Sequence, residues 1–292
     1  MPVFAVNTPA VSDLASSEDS TSTGLASREQ TVMTDPQSYT FLNNQTFKHP
    51  KVRWRVIEYL LHQMLDQSLR VHEPLPGITD LCDHLGVSRT AVREAINVLV
   101  AKGMVASRPG GGTYIQPLSS WMLLDPEVLC WLRESDMAMS IIEHLMEVRL
   151  IFEPEAAALA SLRGTMEQFM AMNEALSRMS AGESLRTPES VQGDIDFHNL
   201  ILNTSGNIFL ARLRDLCMVS VELVVRLTFE RVESVAVSIK NHRRLLDAIT
   251  SRQPDLARNE AKRVLGKTVQ DLQQLNIPFR RDILQQLGGE EE

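Results

Sequence analysis

Residues 85–95 read Leu-Gly-Val-Ser-Arg-Thr-Ala-Val-Arg-Glu-Ala, and the fold of the surrounding chain turns on them. Gly86 allows a tight turn at low steric cost, and Ser88 supplies a hydroxyl able to cap the helix that follows. Arg89, Thr90 and Arg93 then project from the first two turns of that helix. Two arginines and two hydroxyls at a helix N-terminus suit contact with base edges in a DNA major groove. Taken alone, the same residues could be solvated charges on an exposed helix face, so the flanking sequence has to decide.

Upstream, Val52, Val56, Tyr59, Leu60 and Met64 fall at helical spacing over residues 51–65. Leu75-Pro76-Gly77 is a turn, and residues 78–85 form a short helix with Ile78, Leu81 and Leu85 facing inward. The recognition helix then runs from about Ser88 to Lys102, burying Val92, Ile96, Leu99 and Val100, and Gly103 ends it. Two short strands are predicted over 104–107 and 113–116, joined through Arg108-Pro109-Gly110-Gly111-Gly112. A glycine-rich hairpin with one arginine, here Arg108 with Gly110 and Gly111, can press its amides on phosphate or enter a minor groove. Turn, helix and wing agree on a winged helix-turn-helix.

The stretch LPGITDLCDHLGVSRTAVREAINVLVAKGMVASRPGGGTYI, residues 75–115, resembles the GntR family of bacterial transcription regulators. That resemblance implies binding to a double-stranded DNA operator as a homodimer. One stretch departs: where the family usually has Ser-Glu-Arg after the Leu-Pro, this chain has Gly77-Ile78-Thr79. The family's arginine contact with DNA at the Thr79 position is therefore expected to be missing.

Charge is distributed accordingly. Residues 48–117 carry nine Lys/Arg against six Asp/Glu, whereas residues from 118 onward carry 19 basic against 26 acidic, within a chain of net charge −8. A basic module on an acidic body suits one DNA-facing half and one that stays off DNA. With 292 residues and 43% hydrophobic content there is room for two cores and a tail. Residues 1–47, polar and with a single basic residue, read as a disordered tail and lack the pattern of a secretory signal. No stretch approaches the ~20 apolar residues that span a membrane. Cys82, Cys130 and Cys217 are far apart and read as reduced thiols, which points to the cytoplasm.

Past a linker at 118–124, helical period takes over across 125–278, ahead of a polar tail at 279–292. Asp125-Pro126 starts one helix, and others are expected over about 137–162, 165–180, 188–204, 207–231, 234–251 and 254–275. The fold class is thus mainly α: a winged helix-turn-helix followed by an all-α bundle of about seven helices. Asp194 and His198 are four apart on one inward face, and His242 lies in the apolar stripe Val235, Ile239, Leu246, Ile249. Brought together, these three form a divalent-metal site with positions left open. Equally, Asp194 and His198 could pair with each other and His242 be an ordinary core histidine. Arg149 sits on an otherwise apolar face with Ile142, Leu145 and Ala156, so it needs an anion. Either Glu153 at i+4 or Glu147 nearby supplies it, or an effector carboxylate does.

The second half, through Glu147-Val-Arg149, Glu153-Pro154, Asp194-Ile-Asp-Phe-His198, Gly206-Asn207 and His242, resembles the FCD ligand-binding domain of the FadR branch of that family. The resemblance implies a divalent metal (zinc, nickel or manganese) on Asp194, His198 and His242, and a small organic acid as effector. A further histidine of that family falls about where Lys267 stands here, and no histidine follows His242. The opening Ser120-Trp121 through Trp131 is similar to that of sugar-acid-responsive regulators, galactonate-responsive ones among them, with Trp121 and Trp131 expected to seal the junction between the halves. A transcription regulator, by common family behaviour a repressor, is the expectation. A metal-dependent enzyme acting on a small carboxylate and a ligand-independent DNA-binding protein remain alternatives. Against the enzyme, no separate carboxylate or histidine is placed as a general base.

Overall fold

The computed structural model describes residues 51–65, 68–108, 110–135, 137–180, 187–228 and 233–280. The tail at 1–47, and 279–292 from residue 281 on, lie outside these. Ten α-helices and one two-stranded hairpin make up the described residues. Helices α1 (Lys51–Leu65), α2 (Ile78–Leu85) and α3 (Arg89–Ala101) are followed by β1 (Val105–Arg108) and β2 (Gly112–Ile115). The strands are antiparallel, with Val105 opposite Ile115 and Arg108 opposite Gly112. Each strand is displaced by one residue from its predicted span, toward the wing tip at β1 and away from Gln116 at β2.

The core of this half joins Val56, Ile57 and Leu60 of α1 to Leu81, Val92 and Leu99. Two expected core residues are not in it. Val52, 46% exposed, sits in the first turn of α1, and Val100, 40% exposed, points off the buried face of α3. Trp54 and Ile57 hold the inward positions on α1 instead. Gly86 adopts φ +60, as the turn requires, and Gly103 adopts φ +72 against the Ser120 carbonyl.

Helix α4 (Pro126–Arg133) starts as its sequence dictates, with Asp125 Oδ1 accepting from the Glu127 amide at 3.0 Å. It stands between two cores. Val128, Trp131 and Leu132 join the winged-helix core, while Leu129 and Cys130 join that of the bundle. Trp131 packs on Trp54 with ring centroids 6.2 Å apart, and the Trp121 indole donates to the Gln116 carbonyl at 3.0 Å. Lys102, just past α3, reaches both Asp125 and Glu127 at 2.7 Å.

The bundle continues with α5 (Ala138–Arg163), α6 (Met166–Ser180), α7 (Pro188–Thr204), α8 (Arg214–Leu227), α9 (Glu233–Thr250) and α10 (Pro254–Gln273). With α4 this makes the seven expected helices. The helix predicted over 207–231 is shorter, because Asn207 Oδ1 accepts from the Phe209 amide at 2.9 Å and a 3-10 turn, Leu210–Leu213, intervenes. The core is dominated by Ile142, Met146, Met172, Leu176, Phe197 and Leu202. Among the described residues no helix is long and apolar enough to cross a membrane.

Candidate functional site

In the winged-helix half, Ser88 caps α3 by accepting from the Ala91 amide at 3.2 Å. Arg89, Thr90 and Arg93 are exposed, while Ala91, Val92, Ala95 and Ile96 of the same helix are buried. The helix therefore presents its basic, hydroxyl-bearing side outward because its apolar side anchors it. Arg89 Nη2 donates to Thr79 Oγ1 at 3.2 Å, so the residue that replaces the family's arginine steadies another one. On the wing, Gly110 and Gly111 are exposed, and the Arg108 guanidinium lies 4.9 Å above the centre of the Tyr114 ring. That contact was not anticipated: Tyr114 meets Arg108 only through the strand register.

In the bundle, α7 and α9 bring Asp194, His198 and His242 together. His198 Nε2 is 3.3 Å from Asp194 Oδ1, His242 Nε2 is 3.4 Å from the same oxygen, and the two Nε2 atoms are 3.4 Å apart. Each outer nitrogen is already committed. His242 Nδ1 donates to the Ser238 carbonyl at 2.8 Å, and His198 Nδ1 lies 2.7 Å from Glu153 Oε2. With protons on those nitrogens, the neutral rings turn two Nε2 lone pairs toward each other and toward Asp194. Asp194 is partly exposed, but its Oδ1 is buried and has no hydrogen bond of good geometry.

Three electron-rich atoms at these spacings need a cation between them. An ion bonded to each at ~2.0–2.1 Å with tetrahedral angles requires donor separations of about 3.3–3.4 Å. The residues present therefore fit a divalent metal held by three protein ligands. When no ion is bound, a proton does the same work. Burial opposes charge on His198, but Glu153 and Asp194 outweigh it and push the imidazole up to about 9. Burial likewise opposes charge on Asp194, yet the two imidazoles hold its carboxyl far below the usual range.

Behind His198 lies a second layer. Arg149, 2% exposed, grips Glu153, 4% exposed, through Nε and Nη2, and its Nη1 donates to Ser220 Oγ at 3.2 Å. Cys217 Sγ donates to Glu153 Oε1 at 3.2 Å. The guanidinium fork that the sequence left open to an effector is thus occupied by Glu153. Arg149 Nη2 is also 3.4 and 3.3 Å from the two nitrogens of His198, near-equal distances that put it over the ring face, off the in-plane lone pair. Burial opposes charge on Glu153, but Arg149 and His198 hold its carboxyl far below the ordinary range. Sequence spacing could suggest only the Arg149 pairing; contact with His198 and Cys217 comes from helix packing.

The triad opens onto a cavity of about 80 Å³. Arg149, Ser190, Asn241, Lys267 and Thr268 line it together with Val221, Val224 and Val264. Lys267, at the family's further histidine position, is ion-paired with Asp271 on its own helix.

An exposed basic helix and wing, fixed to a helical bundle with a cavity lined by polar and apolar side chains, is the build of a DNA-binding regulator with a sensing half. The model for bacterial regulatory proteins of the gntR family matches residues 53–115, and that for the FCD domain matches residues 144–267. The chain is 35% identical over 208 residues to the uncharacterized HTH-type transcriptional regulator YieP of Escherichia coli K12, covering 69% of this chain and 89% of that one. It is 26% identical over 226 residues to the galactonate operon transcriptional repressor of the same organism, covering 76% and 96%. A solved structure titled "Lar controls the expression of the Listeria monocytogenes agr system and mediates virulence" shares the fold, with TM-score 0.54 and 18% identity over 77% of this chain and 99% of that one. This chain belongs to the GntR family, in its FCD-domain branch. It is a transcriptional regulator and not an enzyme.

Proposed function

We propose that the protein is a repressor whose grip on a palindromic operator is released by a small organic acid bound in the metal-containing bundle. Arg89, Thr90 and Arg93, with the Ser88 hydroxyl beside them, read base edges. Arg108, Gly110 and Gly111 of the wing rest on the backbone or in the minor groove. As a homodimer in the cytoplasm it places two recognition helices in successive major grooves. Likeness to the galactonate operon repressor supports repression and a sugar acid as effector.

Asp194, His198 and His242 would hold zinc, nickel or manganese, with Glu153 orienting His198 from behind. When bound, the ion supplies positive charge for an effector carboxylate and leaves positions open to it. Lys267, tied to Asp271, stands in the cavity wall as a charge. Arg149 belongs to the same effector wall, its charge steadied by Glu153. The effector acts only through a difference in its affinity for the DNA-competent and DNA-released arrangements.

The observation that carries this reading is the set of three mutually facing donor atoms beside a cavity. Metal analysis of purified protein tests it, with wild type and His198→Ala compared alongside gel retardation on the promoter of its own gene. The expected result is one divalent ion per chain in wild type, little in the variant, and operator binding by both. Equal occupancy in the two proteins would remove the metal site. Operator binding that no organic acid relieves, metal present, would leave a ligand-independent DNA-binding protein.

A further inference from the structure

We propose that Thr79 helps set which DNA sequence the protein reads, by holding the guanidinium of Arg89 in place without neutralising it. The inference rests on the reading of α3 as the recognition helix.

Thr79 lies in the first turn of α2, and Arg89 is the first residue of α3. Both are exposed, and Arg89 Nη2 donates to Thr79 Oγ1 at 3.2 Å. The hydroxyl stands on a fixed support. Leu81, two residues on, is buried, and Gly86 closes the turn into α3 with φ +60. Arg55 Nη2 of α1 donates to the Leu85 carbonyl at 3.0 Å and ties down the far end of α2. A β-branched side chain in a helix has few χ1 states, so Oγ1 moves little relative to α2.

Arg89 needs such a hold. A cation at a helix N-terminus meets the positive end of the helix dipole, and the first turn of α3 has no acidic residue to offset it. Arg93 follows at i+4 on the same exposed face and adds a like charge. Both effects push the guanidinium away from the start of the helix, and a long arginine side chain has many rotamers in which to go. The bond to Thr79 draws it back toward α2.

The tether is neutral, and that decides its use. Among the described residues no carboxylate pairs with Arg89, although Asp80 and Glu94 are exposed close by in sequence. A carboxylate in place of the Thr79 hydroxyl would grip the guanidinium more tightly, but it would cancel the charge and repel phosphate. The hydroxyl takes one N–H and leaves the others for a guanine edge, which arginine reads bidentately. Helix α2 itself carries no Lys or Arg. Its part in recognition is therefore positional: an arginine ordered beforehand loses less freedom when it meets a base.

The full chain first selects duplexes from a randomised library, and the selected duplex is the probe. Fluorescence anisotropy then gives affinities for it, and for versions changed at each base pair, over a series of salt concentrations. Arg89→Ala is expected to flatten the preference at one base pair of each half-site. Thr79→Val, which keeps the shape and removes the acceptor, should reduce the preference at that same pair by about three-fold or more. Preferences at other pairs, and the slope of affinity against salt, should stay as in wild type. Thr79→Ser retains the acceptor and should retain the preference. Adding Thr79→Val to Arg89→Ala should change nothing further, because the threonine acts through the arginine. A merely structural threonine would weaken every duplex alike. That uniform loss, a shallower salt slope, an unchanged preference in Thr79→Val or an additive double variant would each overturn the inference and leave α3 as the reader. If the wild type selects no sequence, or Arg89→Ala keeps the full preference at every pair, the reading of α3 fails, and this inference with it.

Discussion

Replacing Glu153 by leucine separates the two tasks this side chain performs. Glu153 is buried, holds the buried Arg149 through two guanidinium nitrogens, and lies 2.7 Å from His198 Nδ1. Removing one member of a buried pair leaves the other charge stranded, which costs about 3–5 kcal/mol. Losing the carboxylate behind a metal-binding imidazole typically lowers metal affinity 10–100-fold, or ~1.4–2.7 kcal/mol. The double variant Arg149→Met, Glu153→Leu removes the stranded charge and fills the space with apolar atoms. It should regain most of the lost stability and none of the lost metal affinity. Urea unfolding of chelator-treated protein reads the first quantity, and competition with a fluorescent zinc chelator the second. The Glu153 carboxyl has a lowered pKa, so its stabilisation is complete above its unfolded value and fades only as pH falls through the folded one. Measurement at neutral pH therefore captures all of it. A double variant as unstable as the single one, or one that binds metal as tightly as wild type, would refute the argument.

Other outcomes follow from the same structure. Arg89→Ala should weaken specific operator binding by roughly 1–3 kcal/mol while metal uptake persists; gel retardation showing unchanged affinity would mean the reading face of α3 is misassigned. Because His198 holds a proton up to about pH 9 without metal, metal affinity should climb by about ten-fold per pH unit between neutrality and that value, then level off. Calorimetry in buffers of different ionisation heat counts the proton released, and a flat profile would count against it. Gly103→Ala should cost at least about 1–2 kcal/mol, since φ is +72 and the added carbon would meet Ser120 O at 2.2 Å. An unchanged melting curve would show that this approach is looser than described.

What could be read along the chain was whatever depends on neighbours in sequence. The cap at Ser88, the turn at Gly86 and the i, i+4 pair Asp194–His198 are local, and all three form as their spacing dictates. His242 was legible as a polar residue in an apolar stripe. Its meeting with α7 is tertiary, yet the histidine type on an inward face pointed to it. Less was legible where partners lie far apart in the chain. Cys217 reaches Glu153 across 64 positions, and nothing local marks that contact. Thr79 looked like a lost DNA contact, and only geometry reveals that it steadies Arg89. The start of α8 was misplaced because Asn207 captures two amides and sets a tighter turn first, which periodicity alone does not register.

Helix α4 is a party wall. Its Trp131 side leans on Trp54, its Leu129 and Cys130 side belongs to the bundle, and Arg133 at its end reaches Glu222 on α8. Lys102 clasps its first turn, and Met122 N donates to the Lys102 carbonyl at 2.9 Å, so the stretch at 118–124 is fastened down along its length. A truncation made at residue 117 would strip the cover from Trp54 and leave a sticky fragment. An excised DNA-binding half, or a chimera with a foreign sensor, should be cut beyond Arg133, with the bundle-facing leucine and cysteine exchanged for polar residues.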